Sequence, residues 1–139
     1  MEKTQLFVYG TIGDPEFFEC LLKRKPKYKA GRLSNYSLYV NPESGYLFVK
    51  PDQGSTVSGK LVEVNEKEVK ILDLWEDVPF YERETVSIEC DSGLENAFVY
   101  TQNDAIGIST NVGTTKSRQS MLDEIQAFRN WIDNLLFNA

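Results

Sequence analysis

One carboxylate and its neighbours are the first candidates for chemistry in this chain. The sequence contains no histidine, so acid–base chemistry would have to use a carboxylate, Tyr, Lys or Cys. Glu76 is the main candidate, because Trp75 and Tyr81 could form an apolar wall that raises the pKa of its carboxyl group towards working pH. A Glu near the C-terminus of a helix is unfavourable to the helix dipole, which suggests selection for another reason. The structural alternative is a solvated surface Glu.

A glycine-containing turn is the candidate for ligand binding. Residues 9–13 (YGTIG) follow a short apolar run. Gly10 allows a sharp turn where a strand ends and has no Cβ to obstruct a ligand. Successive backbone N–H groups in such a turn can bind carboxylate or carbonyl oxygens, which makes Gly10 and Thr11 candidate donors. A strand, a glycine turn and a helix also begin many α/β units, so a purely structural role is the alternative.

Two charged side chains near Glu76 in the sequence could compete with it or assist it. Asp73 lies three residues earlier, so both carboxylates could share one face of a helix. A carboxylate pair would suggest metal or glycoside chemistry, but no third ligand is near in the sequence. Asp73 is equally a candidate for a structural hydrogen-bond acceptor. Arg83 could pair with a carboxylate of the protein or of a substrate.

Composition limits the class of protein. A length of 139 residues predicts a single domain over residues 1–139. The net charge of −6, from 15 basic and 21 acidic residues, opposes binding to nucleic acid or to an anionic membrane. Cys20 and Cys90 lack metal-ligand spacing, so we expect no metal site. We see no signal-peptide pattern and no apolar run of membrane-spanning length, and therefore expect a cytoplasmic protein.

Periodicity predicts an α+β chain. The predicted strands cover residues 5–9, 28–40, 46–49, 56–64, 81–89 and 95–101. One helix is predicted from an Asp14 N-cap to Pro26, and another over residues 66–75 behind an Asn65 cap. Turns are predicted at residues 41–45 and 51–54, with a hairpin at 91–93. An early strand and helix followed by hairpin-connected strands predict a small mixed β-barrel with peripheral helices.

The C-terminal part of the chain predicts a loop and a long helix. The predicted core covers residues 5–102, the loop 103–114 and the helix 116–137. Apolar residues recur in the helix at steps of four, three, four and three: Met121, Ile125, Phe128, Ile132 and Leu135. This amphipathic stripe would pack on the chain's own sheet, or it would form a homodimer seam, since an average step of 3.5 residues also suits helix pairing.

Four short motifs occur in order between residues 6 and 100. They are FVYGT at residues 7–11, V-x-G-x-L at 57–61, L-D-x-x-E at 72–76 followed by Y-x-R at 81–83, and A-x-V-Y at 97–100. Together they resemble the gamma-glutamylcyclotransferase-like family, which includes the avirulence-induced-gene-like proteins and the gamma-glutamylamine cyclotransferases. Asp77 stands where many members have Gly, and the tail after Thr101 matches no motif of the family.

The resemblance implies a compact β-barrel and a lyase- or acyltransferase-type enzyme. In the implied reaction the α-amine of a gamma-glutamyl group attacks its own gamma-carbonyl, which releases 5-oxoproline and an amine. Glu76 is the implied general acid/base, with Arg83 and Asp73 in support. The implied substrate-binding residues are Tyr9, Gly10, Thr11, Ile12 and Tyr81. The implied partner is a small gamma-glutamyl amine or peptide, and neither metal nor cofactor is implied.

Two other functions stay open at this point. A non-catalytic binding or interaction module would retain the cavity and use the C-terminal helix to meet a partner. A hydrolase would use Asp73 and Glu76 as a carboxylate pair. The identity of the leaving amine is not encoded in any of the motifs.

Overall fold

The computed structural model combines strands and helices and describes residues 3–40, 47–75, 82–101, 108–109 and 117–137. The strands are β1 (Lys3–Val8), β2 (Lys29–Val40), β3 (Leu47–Asn65), β4 (Glu82–Cys90), β5 (Gly93–Thr101) and β6 (Ile108–Ser109). The helices are α1 (Pro15–Leu22), α2 (Glu66–Trp75) and α3 (Arg118–Phe137), and a short 3₁₀ turn covers Thr11–Gly13. The predicted α+β class is confirmed.

The strands form one mixed sheet in the order β3-β1-β5-β4-β2-β6. β2 also pairs with β3, so the five strands β3, β1, β5, β4 and β2 form a closed ring, called the strand ring below. The β1–β5 pairing is parallel, whereas the other pairings are antiparallel. The structure therefore confirms the mixed sheet.

Apolar residues of the strand ring alternate between two cores. Phe7 of β1 and Val99 of β5 belong to a strand cluster drawn from all five strands of the ring and from no helix. Leu6, Val8 and Tyr100 point the other way, into a helix cluster that α1, α2 and α3 cover. β1 and β5 are thus buried on both faces, which explains their nearly continuous apolar sequences.

Local capping sets the limits of α1. The carboxylate of Asp14 accepts hydrogen bonds from the backbone N–H groups of Glu16 at 2.9 Å and Phe17 at 3.4 Å, as predicted for an N-cap. The helix ends earlier than the predicted stop at Pro26. Lys23 takes a left-handed backbone conformation with φ of 61° and caps the C-terminus instead.

A reciprocal cap begins α2. The side chain of Asn65 accepts from the N–H of Glu68 at 2.9 Å, and Glu68 accepts from the N–H of Asn65 at 3.0 Å. Arg24 donates to both carboxylate oxygens of Glu68, at 2.6 and 2.9 Å. Burial raises the pKa of Glu68, but the bonds from Arg24 and the Asn65 N–H outweigh it, and the pKa lies below its usual value. The cap was predicted and the ion pair was not.

β3 is a single strand of 19 residues, although the sequence predicts two strands separated by a turn at 51–54. The pairing with β2 shifts register between Ser34 and Tyr36, so that only Asn35 stands opposite residues 52–55. Asn35 and Gly54 both have positive φ, and the Gly54 N–H donates to Asn35 Oδ1 at 3.1 Å. The turn signal therefore encodes a bulge within a continuous strand. The turn predicted at 41–45 lies outside the described residues.

The chain after Thr101 also differs from the prediction. Ile108–Ser109 form β6 on the edge of β2, inside the segment predicted to be a loop. The other residues of that segment lie outside the described part of the chain. None of the described helices is long and apolar enough to cross a membrane.

The apolar stripe of α3 packs within the chain. Met121 and Ile125 are buried in the helix cluster, and Ile132 is fully buried. Trp131 is 52% exposed. Most of the described stripe therefore stabilises this fold, and a homodimer seam stays a prediction.

Gly59 of β3 lies against β1. A Cβ at this position would lie 2.5 Å from the Val8 carbonyl oxygen and 2.6 Å from Phe7 Cζ. We expect Gly59→Ala to lower the free energy of unfolding by about 1–3 kcal/mol through overpacking, as measured by urea denaturation. Ser58→Ala, an exposed neighbour, should cost less than about 0.5 kcal/mol. Equal small losses would contradict the close approach.

The Glu68 pair predicts a pH-dependent stability. Because its folded pKa is lowered, Glu68 contributes stability above the ordinary carboxyl range and loses it as the pH falls. We expect Glu68→Gln to cost about 1–2 kcal/mol at pH 7, with the difference shrinking below about pH 4. Urea denaturation of both proteins at pH 7 and pH 3 measures this, with the exposed Glu66→Gln as control. A loss of equal size at both pH values would contradict the assignment.

Candidate active site

The 3₁₀ turn after β1 is held by its carbonyl groups. The Gly13 N–H donates to the Gly10 carbonyl at 2.9 Å. The Tyr28 hydroxyl donates to the Ile12 carbonyl at 2.5 Å, and the Lys60 ammonium donates to the Gly13 carbonyl at 3.0 Å. Burial raises the pKa of Tyr28, so its hydroxyl stays protonated as a donor. The turn is therefore anchored, and the Gly13 N–H is used inside it.

The backbone conformation at Gly10 differs from the one that the sequence suggests. Among the described glycines only Gly54 and Gly93 have positive φ, so the backbone at Gly10 does not require glycine. A Cβ there would lie 3.6 Å from the side chain of Leu47, an ordinary contact distance. Glycine at this position therefore keeps a space between the end of β1 and Leu47.

A chain of hydrogen bonds links the end of β1 to the end of α2. The Tyr9 hydroxyl donates to the Tyr100 carbonyl at 2.7 Å. The Tyr100 hydroxyl donates to Asp73 Oδ1 at 2.7 Å, and Arg83 Nε lies 3.2 Å from the same oxygen. Asp73, near the C-terminus of α2, is thereby fixed to β4 and β5.

All four sequence motifs contribute to this region. Tyr9 comes from the first motif, Asp73 and Arg83 from the third, and Tyr100 from the fourth. The Gly59 of the second motif allows β3 to approach β1 closely. Tyr9 and Tyr100 are 91 residues apart in the chain, so the fold brings together motifs that are distant in sequence.

The other predicted site residues fall at or beyond the limits of the description. Glu76 and Tyr81 lie outside the described residues, and nothing is described of the Thr11 side chain. Trp75, the last residue of α2, directly precedes Glu76. Its ring packs edge-to-face on Phe128 of α3, with centroids 5.3 Å apart.

The N-terminus of α1 is occupied by the protein itself. Asp14 caps it, and Arg118 of α3 donates to Asp14 at 2.6 Å and to Glu16 at 2.5 Å. The hydrogen bond from Arg118 is the main reason why the pKa of Asp14 is lowered. The positive end of the α1 dipole is thus already neutralised by the protein. An anionic ligand would therefore have to bind through the backbone N–H groups of the turn.

Sequence reasoning missed several residues of this region. Tyr28 and Lys60 hold the turn, and Arg118 and Phe128 reach the site from α3. No local pattern identifies Tyr28, Lys60 or Arg118, whereas Phe128 was predicted only as part of the apolar stripe of the C-terminal helix. Tyr100 did have a signal, because it ends the fourth motif, but its hydrogen bond to Asp73 depends on the fold.

Comparison with known proteins agrees with this arrangement. The family model "Gamma-glutamyl cyclotransferase, AIG2-like" matches residues 6–126. The chain therefore belongs to the AIG2-like gamma-glutamyl cyclotransferase family, and the family expectation drawn from the four motifs is confirmed.

Individual relatives extend this comparison. AIG2-like protein C of Arabidopsis thaliana is 36% identical over 84 residues, which cover 60% of this chain and 48% of that protein. Gamma-glutamylaminecyclotransferase B of Danio rerio is 30% identical over 111 residues, covering 70% and 58% respectively. The chain thus spans about half the length of these relatives. The crystal structure of an AIG2-like protein from Mus musculus shares the fold, with a TM-score of 0.65, 21% identity, and coverage of 86% of this chain and 94% of that one.

The Tyr100–Asp73 hydrogen bond can be measured by a double-mutant cycle. We expect Tyr100→Phe to cost about 0.5–1.5 kcal/mol of unfolding free energy, because it removes one donor to a carboxylate. Combined with Asp73→Ala, which removes the acceptor, it should show a coupling of about 1 kcal/mol in urea denaturation. Tyr39→Phe on β2 should not couple to Asp73→Ala. A coupling near zero for Tyr100 would contradict the bond.

Proposed function

We propose that this chain is a gamma-glutamyl cyclotransferase-type enzyme that converts a small gamma-glutamyl amine or peptide into 5-oxoproline and a free amine. The observation that carries the proposal is the meeting of all four family motifs at the end of β1. There hydrogen bonds link Tyr9 to Tyr100 and Tyr100 to Asp73. Asp73 lies three residues before Glu76 in the sequence. Family membership supports cyclotransferase chemistry in general, and the Danio rerio relative is named for gamma-glutamylamines.

The reaction needs no nucleophile from the protein. The α-amino nitrogen of the gamma-glutamyl group attacks the gamma-carbonyl carbon, and the new C–N bond closes a five-membered ring. The C–N bond to the departing amine then breaks. The attacking nitrogen loses a proton and the departing nitrogen gains one, so Glu76 acts first as base and then as acid. Holding the glutamyl chain curled supplies much of the acceleration through proximity.

The turn after β1 is the proposed oxyanion site. Negative charge develops on the gamma-carbonyl oxygen during attack, and backbone N–H groups of Gly10, Thr11 and Ile12 are the proposed donors. Because Tyr28 and Lys60 anchor the turn through its carbonyls, the donors need little reorganisation during the reaction. The Lys60 ammonium also adds positive charge beside the turn.

Asp73 is a positioning residue in this proposal. Its Oδ1 accepts from Tyr100 and lies next to Arg83, so the carboxylate is engaged by the protein. This favours a mechanism with one catalytic carboxylate over a hydrolase that uses Asp73 and Glu76 as a pair. The engagement also fixes the last turn of α2, from which Glu76 follows.

A non-catalytic binding module is the second candidate. The observation in its favour is the exposure of Leu74 at 46% and Trp131 at 52%, two large apolar side chains that a partner could cover. This alternative retains the turn as a ligand site but predicts no turnover.

Replacement of Glu76 tests the enzyme directly. We expect Glu76→Gln to reduce 5-oxoproline release by at least about 100-fold, because it removes the acid/base group, and to leave ligand binding intact. The measurement is product release from a panel of gamma-glutamyl amines and dipeptides. Glu66→Gln makes the same chemical change in the exposed first turn of α2 and should retain activity. A wild-type protein that releases nothing across the panel would favour the binding module.

Asp73→Asn separates the two enzymatic mechanisms. We expect a loss of about tenfold in the same assay, since a misplaced but intact Glu76 still transfers protons. Turnover of the panel without 5-oxoproline release, lost as completely in Asp73→Asn as in Glu76→Gln, would instead favour the carboxylate-pair hydrolase.

A further inference from the structure

α3 contacts both halves of the candidate site at two separate points. At its start, Arg118 donates to Asp14 and Glu16, directly after the turn that carries the proposed oxyanion donors. Further along, Phe128 packs on Trp75, directly before Glu76. At a helical rise of about 1.5 Å per residue, the two contacts are separated by about 15 Å along α3.

We propose that α3 is a brace that holds the end of α2 at Trp75 in position relative to the oxyanion turn, with Arg118 and Phe128 as positioning residues. This inference rests on the proposed function and adds the element that holds its two halves together. The four motifs end at residue 100, and the match to the family model ends at residue 126, before Phe128. Arg118 lies inside that match and Phe128 lies beyond it, and neither belongs to the four motifs.

The last turn of α2 is held from two sides. Side chains two residues apart on a helix point about 200° apart, so Asp73 and Trp75 face nearly opposite directions. Asp73 is bonded to Tyr100 on the sheet, whereas Trp75 packs against Phe128 on α3. With both contacts in place, α2 can neither rotate nor tilt freely at its last turn.

α1 and α3 are joined along the length of α1. Arg118 binds carboxylates at the start of α1, and its guanidinium lies 4.7 Å from the centre of the Phe17 ring. At the other end, Arg129 of α3 is buried and donates to the Leu21 carbonyl at 3.0 Å. Two such contacts prevent α1 from sliding along α3. α3 therefore constrains the separation between the oxyanion turn and Trp75 in addition to the contacts that both make with the sheet.

Replacement of Phe128 tests the brace by its effect on kcat. Phe128→Leu removes the ring but keeps an apolar side chain. We expect kcat for 5-oxoproline release to fall about tenfold, while KM changes by less than about twofold because the turn that binds the glutamyl group is unchanged. Phe128→Tyr keeps the ring and should restore kcat. Ile125→Val removes a buried methyl group from the same helix and controls for lost stability.

Two results would overturn the inference while the enzyme assignment stands. One is a kcat for Phe128→Leu no lower than for Ile125→Val. The other is a loss confined to KM. Wild-type protein that releases no 5-oxoproline would instead overturn the proposed function, and the brace with it.

A double variant tests whether the two ends of α3 act together. Effects at sites this far apart normally multiply. A brace fails when either end is released, so Arg118→Gln combined with Phe128→Leu should be about as slow as the slower single variant. A loss equal to the product of the two single losses would show independent sites and contradict the brace.

Tryptophan fluorescence tests the contact without turnover. The chain has two Trp residues, so Trp131→Phe leaves Trp75 as the reporter. We expect Phe128→Leu in this background to shift Trp75 emission to longer wavelength, because the indole loses its apolar cover. Unchanged emission would mean that Phe128 does not cover Trp75, which would overturn the brace.

Discussion

Tyr100 of β5, whose side chain is buried, connects β5 to the end of β1 and to α2 through two hydrogen bonds. Its backbone carbonyl accepts from the Tyr9 hydroxyl after β1, and its side-chain hydroxyl donates to Asp73 on α2. Tyr100 lies in the apolar helix cluster, where a hydroxyl without a partner would be costly. Apolar contacts alone would let α2 slide over the sheet. A directional bond inside an apolar core fixes the position of α2 on the sheet.

The rigidity of the turn has a second source in the two-sided burial of β1. Phe7 packs in the strand cluster, and Leu6 and Val8 pack in the helix cluster. A shift of this strand would disturb two cores at once, and close packing makes such shifts costly. Tyr9 and the turn therefore extend from one of the least movable parts of the fold. α3 adds the remaining constraint from the outside of the helix layer.

Local chemistry explains which parts of this structure the sequence could predict. The Asp14 cap, the Asn65 cap and the hairpin at 91–93 depend on neighbouring residues, and each was predicted. The bulge at Gly54 was mistaken for a turn, because positive φ at glycine suits both and only the pairing with Asn35 on β2 distinguishes them. Contacts such as Arg118 to Asp14, 104 residues apart, have no local signal. The role proposed for Glu76 rests mainly on its motif, since its neighbours alone also fit a surface carboxylate.

The short strand β6 has a consequence for how this protein behaves at high concentration. Unpaired strand edges are templates for pairing with other chains and for aggregation. Closure of the strand ring removes most such edges. On the outer edge of β2, β4 pairs at Arg32, near the start of β2. β6 pairs with Tyr39 and Val40 at the other end of the same edge. β6 thus covers this end of the β2 edge, so a second molecule could not add a strand there without displacing β6.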